Sequence, residues 1–175
     1  MATPETMISK GAIVSGIEEG NIKFGRGCMI HPYSRIITEG GSKIMFGDYN
    51  IIEEGVLIKE CPKLNSKTGK EEPTSISIGD YNHFKIGCEV VNTTVQNYNV
   101  IDYKAKITNA FIESKAIVGP CAELKEGKIL RTSAIILPNN RLMVNNTFDE
   151  EIYKENIKNL VQVLEHLFQQ AMTKK

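Results

Sequence analysis

Three histidines, His31, His83 and His166, are the side chains of this sequence best suited to chemistry. Three imidazoles converging on one metal would make a zinc site with a fourth position open to water. One imidazole beside a cleft would serve as a general base. Four cysteines, Cys28, Cys61, Cys88 and Cys121, bring thiols, while Asp48, Asp80 and the pair Glu53-Glu54 bring carboxylates. No two cysteines stand in a C-x-x-C spacing, and no phosphate-binding loop, zinc-ligand spacing or hydrolase nucleophile elbow occurs. Whether the remaining groups can meet depends on the elements that carry them.

Those elements are repeats. Phe46-Gly47-Asp48-Tyr49-Asn50, Ile78-Gly79-Asp80-Tyr81-Asn82 and Val95-Gln96-Asn97-Tyr98-Asn99 share one pattern, and Ile52, Phe84 and Ile101 follow each two places later. Large apolar residues recur in a six-residue step through Phe24, Ile30 and Ile36, then Phe46, Ile52 and Ile58, and onward to Leu130 and Ile136. Single-residue shifts fall between Val90 and Val95 and between Ile107 and Ile112. The residue four places after each is usually small, as at Cys28, Asn50, Asn82, Cys88, Asn99 and Ala116. A helix would need steps of three and four, and an ordinary strand would alternate. Sandwich strands recur at about 8 to 12 residues instead. A hexad describes a short strand and a corner, and three hexads close one triangular coil of a parallel β-helix. The predicted fold is all-β, with roughly five to seven coils that are stable only when stacked. Gly or Asn is expected at the corners, where φ is positive.

Residues 1–144 are predicted to form this solenoid, with a polar loop at 59–77 carrying Pro62 and Pro73. Gly40-Gly41 marks a smaller interruption, and Pro138-Asn139-Asn140 ends the repeat. Residues 145–175 read as an amphipathic helix, with Thr147 as N-cap and Glu150 closing a capping box. Its apolar stripe is Tyr153, Ile157, Leu160, Val161, Leu164, Leu167, Phe168 and Met172. The stripe must be buried, either on a flat face of its own prism or on another protein.

Composition narrows the function. The chain has 175 residues, 41% hydrophobic, and 21 basic residues balance 21 acidic ones. Zero net charge argues against nucleic-acid binding through a broadly basic surface. It is also a mild solubility liability, which hints at a permanent partner. No run of about 18 apolar residues exists to span a membrane. The stretch Met1 to Lys10 lacks the apolar core of a signal peptide, so reduced thiols in a cytosolic protein are expected.

The register separates the chemical groups. His31 follows the inward Ile30, His83 precedes the inward Phe84, and His166 lies on the terminal helix. Ile51 and Val100 occupy the positions matching His83, so no neighbouring coil supplies a second ligand there. Cys28 and Cys88 fall in the small inward column as packing thiols. Glu53, Glu54, Asp48 and Asp80 fall at outward or turn positions, expected as a solvated edge. No catalytic, cofactor or metal residue is assigned. Two other columns are expected to matter. Asn50, Asn82 and Asn99 should stack as a structural ladder at one corner. Ile51, His83 and Val100 should align outward on a flat side as a candidate partner face.

The run Ile30-His31-Pro32-Tyr33-Ser34-Arg35-Ile36-Ile37 with Gly47-Asp48-Tyr49-Asn50-Ile51-Ile52-Glu53-Glu54 resembles the family of dynactin's sixth subunit. So do Val100-Ile101-Asp102-Tyr103-Lys104-Ala105 and Ala116-Ile117-Val118-Gly119. The similarity runs roughly from Ile8 to Ile136. It implies a left-handed winding and a non-enzymatic structural subunit without cofactor. It further implies a place in the pointed-end complex, in the cytoplasm on the cytoskeleton. The implied partners are dynactin subunit 5, itself a β-helix, other pointed-end subunits including an actin-related protein, and dynein indirectly. The alternative is a hexapeptide-repeat enzyme, an acyltransferase or a γ-carbonic-anhydrase-like hydratase, working as a homotrimer. The two readings part on metal. The purified protein is expected to hold no stoichiometric zinc in elemental analysis and to show no carbon-dioxide hydration above background, whereas zinc bound by both His31 and His83 would defeat the non-enzyme reading.

Overall fold

The computed structural model describes residues 5–173, so residues 1–4 of the 1–144 unit and residues 174–175 of the tail lie outside it. So does the side chain of Met172, expected on the helix stripe. Hexads become strands of two to four residues that turn a corner and continue on the next side of a triangular prism. Three parallel sheets result, one per side. The first face is built from Met7–Ile8, Met29–Ile30, Ile51–Ile52, His83–Phe84, Val100–Ile101, Ile117–Val118 and Ala134–Leu137. The second runs from Ile13–Ser15 to Glu123–Leu124, the third from Ile22–Lys23 to Ile129–Leu130, with six strands each. Six coils are complete, and Ala134–Leu137 begins a seventh. Ile30, Ile52, Phe84, Ile101 and Val118 stack along the first face and point inward, fully buried.

The coil length reports the insertions. Stacked partners are 22 residues apart from Cys28 to Asn50, 32 from Asn50 to Asn82, and 17 from Asn82 to Asn99 and from Asn99 to Ala116. The step of 17 arises at tight corners through Asn92 and Asn109, each with φ 49°. These are the two single-residue shifts of the hexad register. The step of 32 carries the insertion, which is shorter than the predicted 59–77 loop. Leu57–Glu60 and Ser75–Ile78 both belong to the solenoid, and between them Lys63–Leu64 pairs antiparallel with Glu71–Glu72. After the turn at Pro138–Asn140 the chain reverses, and Arg141–Val144 pairs antiparallel with Ala134–Leu137. A strand edge that would otherwise lie open at that end of the first face is thereby occupied.

The repeated Gly-Asp-Tyr-Asn segment shows why the corner needs each residue. A Cβ on Gly47 would collide with the Asp80 carboxylate and the backbone of Gly79 in the next coil, and one on Gly79 would collide with Asn97. The aspartate caps the preceding coil: Asp48 Oδ1 accepts from the Arg26 amide at 2.8 Å, and Asp80 Oδ1 from the Asp48 amide at 2.7 Å. Asp48 is therefore a bonded rung and not a free edge. Burial pushes its carboxyl up, but the Arg26 amide and guanidinium outweigh that and hold it below the ordinary range. The left-handed conformation falls on Tyr49, Tyr81 and Tyr98, with φ 57°, 57° and 61°, and not on the asparagines. Their rings stack at 5.1 and 5.6 Å, contact that offsets an unfavourable backbone for a bulky residue.

The asparagines point inward and are fully buried. Asn50 Oδ1 accepts from the Asn82 amide at 3.1 Å, Asn82 Oδ1 from the Asn99 amide at 2.9 Å, and Asn99 Oδ1 from the Ala116 amide at 2.8 Å. Asn50 Nδ2 donates to the carbonyls of Gly47 at 3.0 Å and Gly79 at 2.8 Å. Each side chain thus binds a corner amide that the ladder of its own face leaves over. Replacing Asn82 by Leu is expected to lower stability by about 1–3 kcal/mol in thermal or denaturant unfolding, because the Asn99 amide stays buried without an acceptor.

Candidate functional site

The helix Glu150–Thr173 decides which surface is available. Its N-terminus is capped by Asp149, whose Oδ1 accepts from the amides of Glu151 and Ile152, both at 3.1 Å. Thr147, the expected N-cap, instead donates to Asn145 Oδ1. Glu150 anchors the start with Lys115 of the prism at 3.0 Å and Lys154 at 2.8 Å. These two cations draw its carboxyl down to about 2. Tyr153 meets the Tyr98 ring edge-on, and Phe148 lies 5.2 Å from Tyr153. The helix then runs back along the first face. Ile157 and Val161 pack onto Met29 and Ile51 in a cluster apart from the prism core, fringed by Met7, Tyr49, Tyr81 and Leu164. Phe168 ends beside the His31 ring.

This placement corrects the candidate partner face. Ile51, His83 and Val100 do align in one outward column. Ile51 is only 1% exposed, however, because the terminal helix covers it, and His83 and Val100 are half-buried. The face is occupied by the chain's own helix, so a charge at Ile51 would disturb the fold itself.

The histidines do not converge. His31 Nδ1 contacts Glu54 Oε1 at 3.0 Å, and His83 Nε2 contacts Glu53 Oε1 at 2.6 Å. Glu53 also accepts from the Ile86 amide at 3.0 Å. Burial pushes the Glu53 carboxyl up, yet His83 and that amide together hold it below the ordinary range. The two glutamates, expected as a solvated edge, each hold one imidazole. His166 contacts Gln170 on the helix. No group of three or more metal-capable side chains occurs among the described residues. Cys28 and Cys88 are buried, and burial pushes both thiols up, away from the thiolate a nucleophile needs.

What remains exposed is apolar. Ile152, Leu160, Val163 and Leu167 form a second stripe beside the buried one, each between 37% and 59% exposed. The predicted single stripe had merged two. Leu160 beside Val161 and Leu167 beside Phe168 are adjacent pairs that cannot both face the prism. Their adjacency, with Ile152 and Val163, was the available signal.

No family model matches the chain. Among curated proteins it is 31% identical over 134 residues to Dynactin subunit 6 of Danio rerio, covering 74% of this chain and 68% of the relative. The corresponding Xenopus tropicalis protein is 30% identical over 133 residues, covering 74% and 66%. That of Dictyostelium discoideum is 29% identical over 148 residues, covering 83% and 73%.

The chain belongs to the dynactin subunit 6 family.

In that family setting the likeness to solved enzymes concerns the fold alone. A hexapeptide transferase family protein of Anaplasma phagocytophilum is 15% identical with a TM-score of 0.55, covering 90% of each chain. A putative acetyltransferase of Bacillus cereus is 13% identical with a TM-score of 0.56, covering 98% of this chain and 94% of its own. The shared architecture is the left-handed parallel β-helix. No described helix is long and apolar enough to cross a membrane. Ile51→Asp is expected to detach the helix, read as loss of proteolytic protection across residues 150–173 and a stability loss of about 2–4 kcal/mol for a charge forced against an apolar patch.

Proposed function

We propose that this chain is a non-catalytic structural subunit of dynactin, held in the pointed-end complex and supporting dynein-driven transport in the cytoplasm on the cytoskeleton. The likeness to Dynactin subunit 6 proteins supports this reading, and the second apolar stripe of the terminal helix offers the surface for it. Ile152, Leu160, Val163 and Leu167 face outward on a helix that is already anchored through Ile157, Val161 and the Glu150–Lys115 pair. Exposed apolar residues on a rigid support mark a protein interface more often than chance. The proposed occupant is a neighbouring β-helix subunit, dynactin subunit 5, with an actin-related protein and other pointed-end subunits beyond it. His31 and His83 each pair with a different glutamate, which speaks against one metal shared between them.

Leu160→Asp with Val163→Asp is expected to leave melting nearly unchanged, because both side chains point to water in the free chain. The variant should fail to recover dynactin and dynein subunits in affinity purification from the native cell, whereas the unaltered chain recovers them. Retention of the variant would move the interface elsewhere. Failure of the unaltered chain to recover dynactin would sink the functional reading.

A further inference from the structure

A groove of about 400 Å³ lies on another side of the molecule, between the hairpin insertion and the third face. Lys63 and Thr74 of the insertion form one wall, and Asn92 and Asn109 at the prism corner form the other. Thr94, Phe111 and Ile129 stack in register as its floor. Glu60 stands at the junction, 1% exposed, at the end of a solenoid strand.

We propose that this groove binds an extended acidic segment of a partner protein. The proposal does not rest on the assembly reading above, since it concerns other residues on another face.

Glu60 supplies the first argument. Its Oε1 touches Thr74 Oγ1, and Thr74 Oγ1 also lies 2.9 Å from the carbonyl of Cys61. A hydroxyl has one proton and can serve only one of these acceptors. Burial pushes the Glu60 carboxyl up, opposed by Thr74 and by Lys63. Thr74 Oγ1 therefore serves either Glu60 Oε1 or the Cys61 carbonyl, and it leaves the other Glu60 oxygen unserved. Glu60 Oε2 is an acceptor, buried and without a donor among the described residues. Orphaned buried acceptors are rare and costly, so a donor from water or from a ligand in the groove would stabilise Glu60 Oε2.

The lysines supply the second. Lys63 and Lys128 both line the groove and are exposed, and neither has an ion-pair partner among the described residues. Their charges suit an acceptor-rich anion beside the donor that Glu60 Oε2 lacks. A free carboxylate answers only the lysines, and inorganic phosphate leaves the apolar floor of Phe111 and Ile129 uncovered. A peptide answers both, with a backbone N–H for Glu60 and an Asp or Glu side chain for the lysines. The floor supplies the third argument. Phe111 and Ile129 offer apolar surface beside the polar wall, suited to a strand that alternates acidic and apolar residues.

The test is fluorescence anisotropy of short labelled peptides alternating Asp and Leu, titrated with the full chain. Saturable binding is expected, absent for the Lys-for-Asp version. Lys63→Ala with Lys128→Ala should weaken it about tenfold or more while melting stays unchanged. Glu60→Gln should keep binding, because the amide donates to Thr74 and presents an acceptor in place of Oε2. Glu60→Met, shown folded by its melting curve, should weaken it. Three results would each overturn the proposal: no saturable binding up to about 1 mM peptide, binding indifferent to the lysine variants, or displacement by inorganic phosphate as effective as by unlabelled peptide. The last would make the groove a simple anion site, and the first would leave Glu60 Oε2 to water alone.

Discussion

Every coil of this protein must satisfy the backbone of the coil beside it. Parallel rungs about 4.8 Å apart leave no slack at the corners, and there the chain turns while its amides still need acceptors. Gly47 and Gly79 exist because a Cβ would enter the next coil. Asp48 and Asp80 exist because a corner amide needs a side-chain acceptor one rung away. The buried asparagine ladder answers the same demand from inside. The rest of the molecule inherits this constraint, since in-register stacking places like side chains above one another.

The stacking creates the platform for the helix. Tyr49, Tyr81 and Tyr98 form one aromatic column along the corner, and Lys158 and Lys154 lie over its two ends. Met29 and Ile51, one rung apart, give the apolar seat. A straight helix fits a straight column, so docking needs no change in the prism. Surface ion pairs such as Lys106–Glu89 on the second face follow the same rungs but add little, being exposed.

Much of this was legible in the sequence, and the limits are physical. The hexad showed the prism because large inward residues repeat wherever a coil closes, and Pro138 marked its end. The asparagine column was legible because an inward polar residue has no other use. The tyrosines were not expected at positive φ, since propensity favours Gly or Asn there; tertiary stacking overrode propensity. The exposure of Ile51 was misjudged for a related reason. Its outward position was read correctly from the hexad, but what lies outside a coil depends on a helix a hundred residues away in the chain. The N-cap moved from Thr147 to Asp149 because several adjacent residues could cap, and only the anchoring of Glu150 on Lys115 sets the first turn. Glu60 carried no sequence signal at all: a glutamate before an insertion reads as surface until Thr74 folds over it.

A prism of this kind has three flat sides and few places where side chains can converge on one atom. His31 and His83 illustrate it, for they are close in the fold yet committed to different glutamates. Function on such a scaffold therefore follows from which sides are covered. The helix covers the first side and replaces it with its own outer stripe, whereas the insertion overhangs the third side and makes a polar groove there. An apolar surface and a polar groove on different sides could be engaged at once without competing. The rigid stack between them fixes the distance. Such a stack would hold two partners a set distance apart.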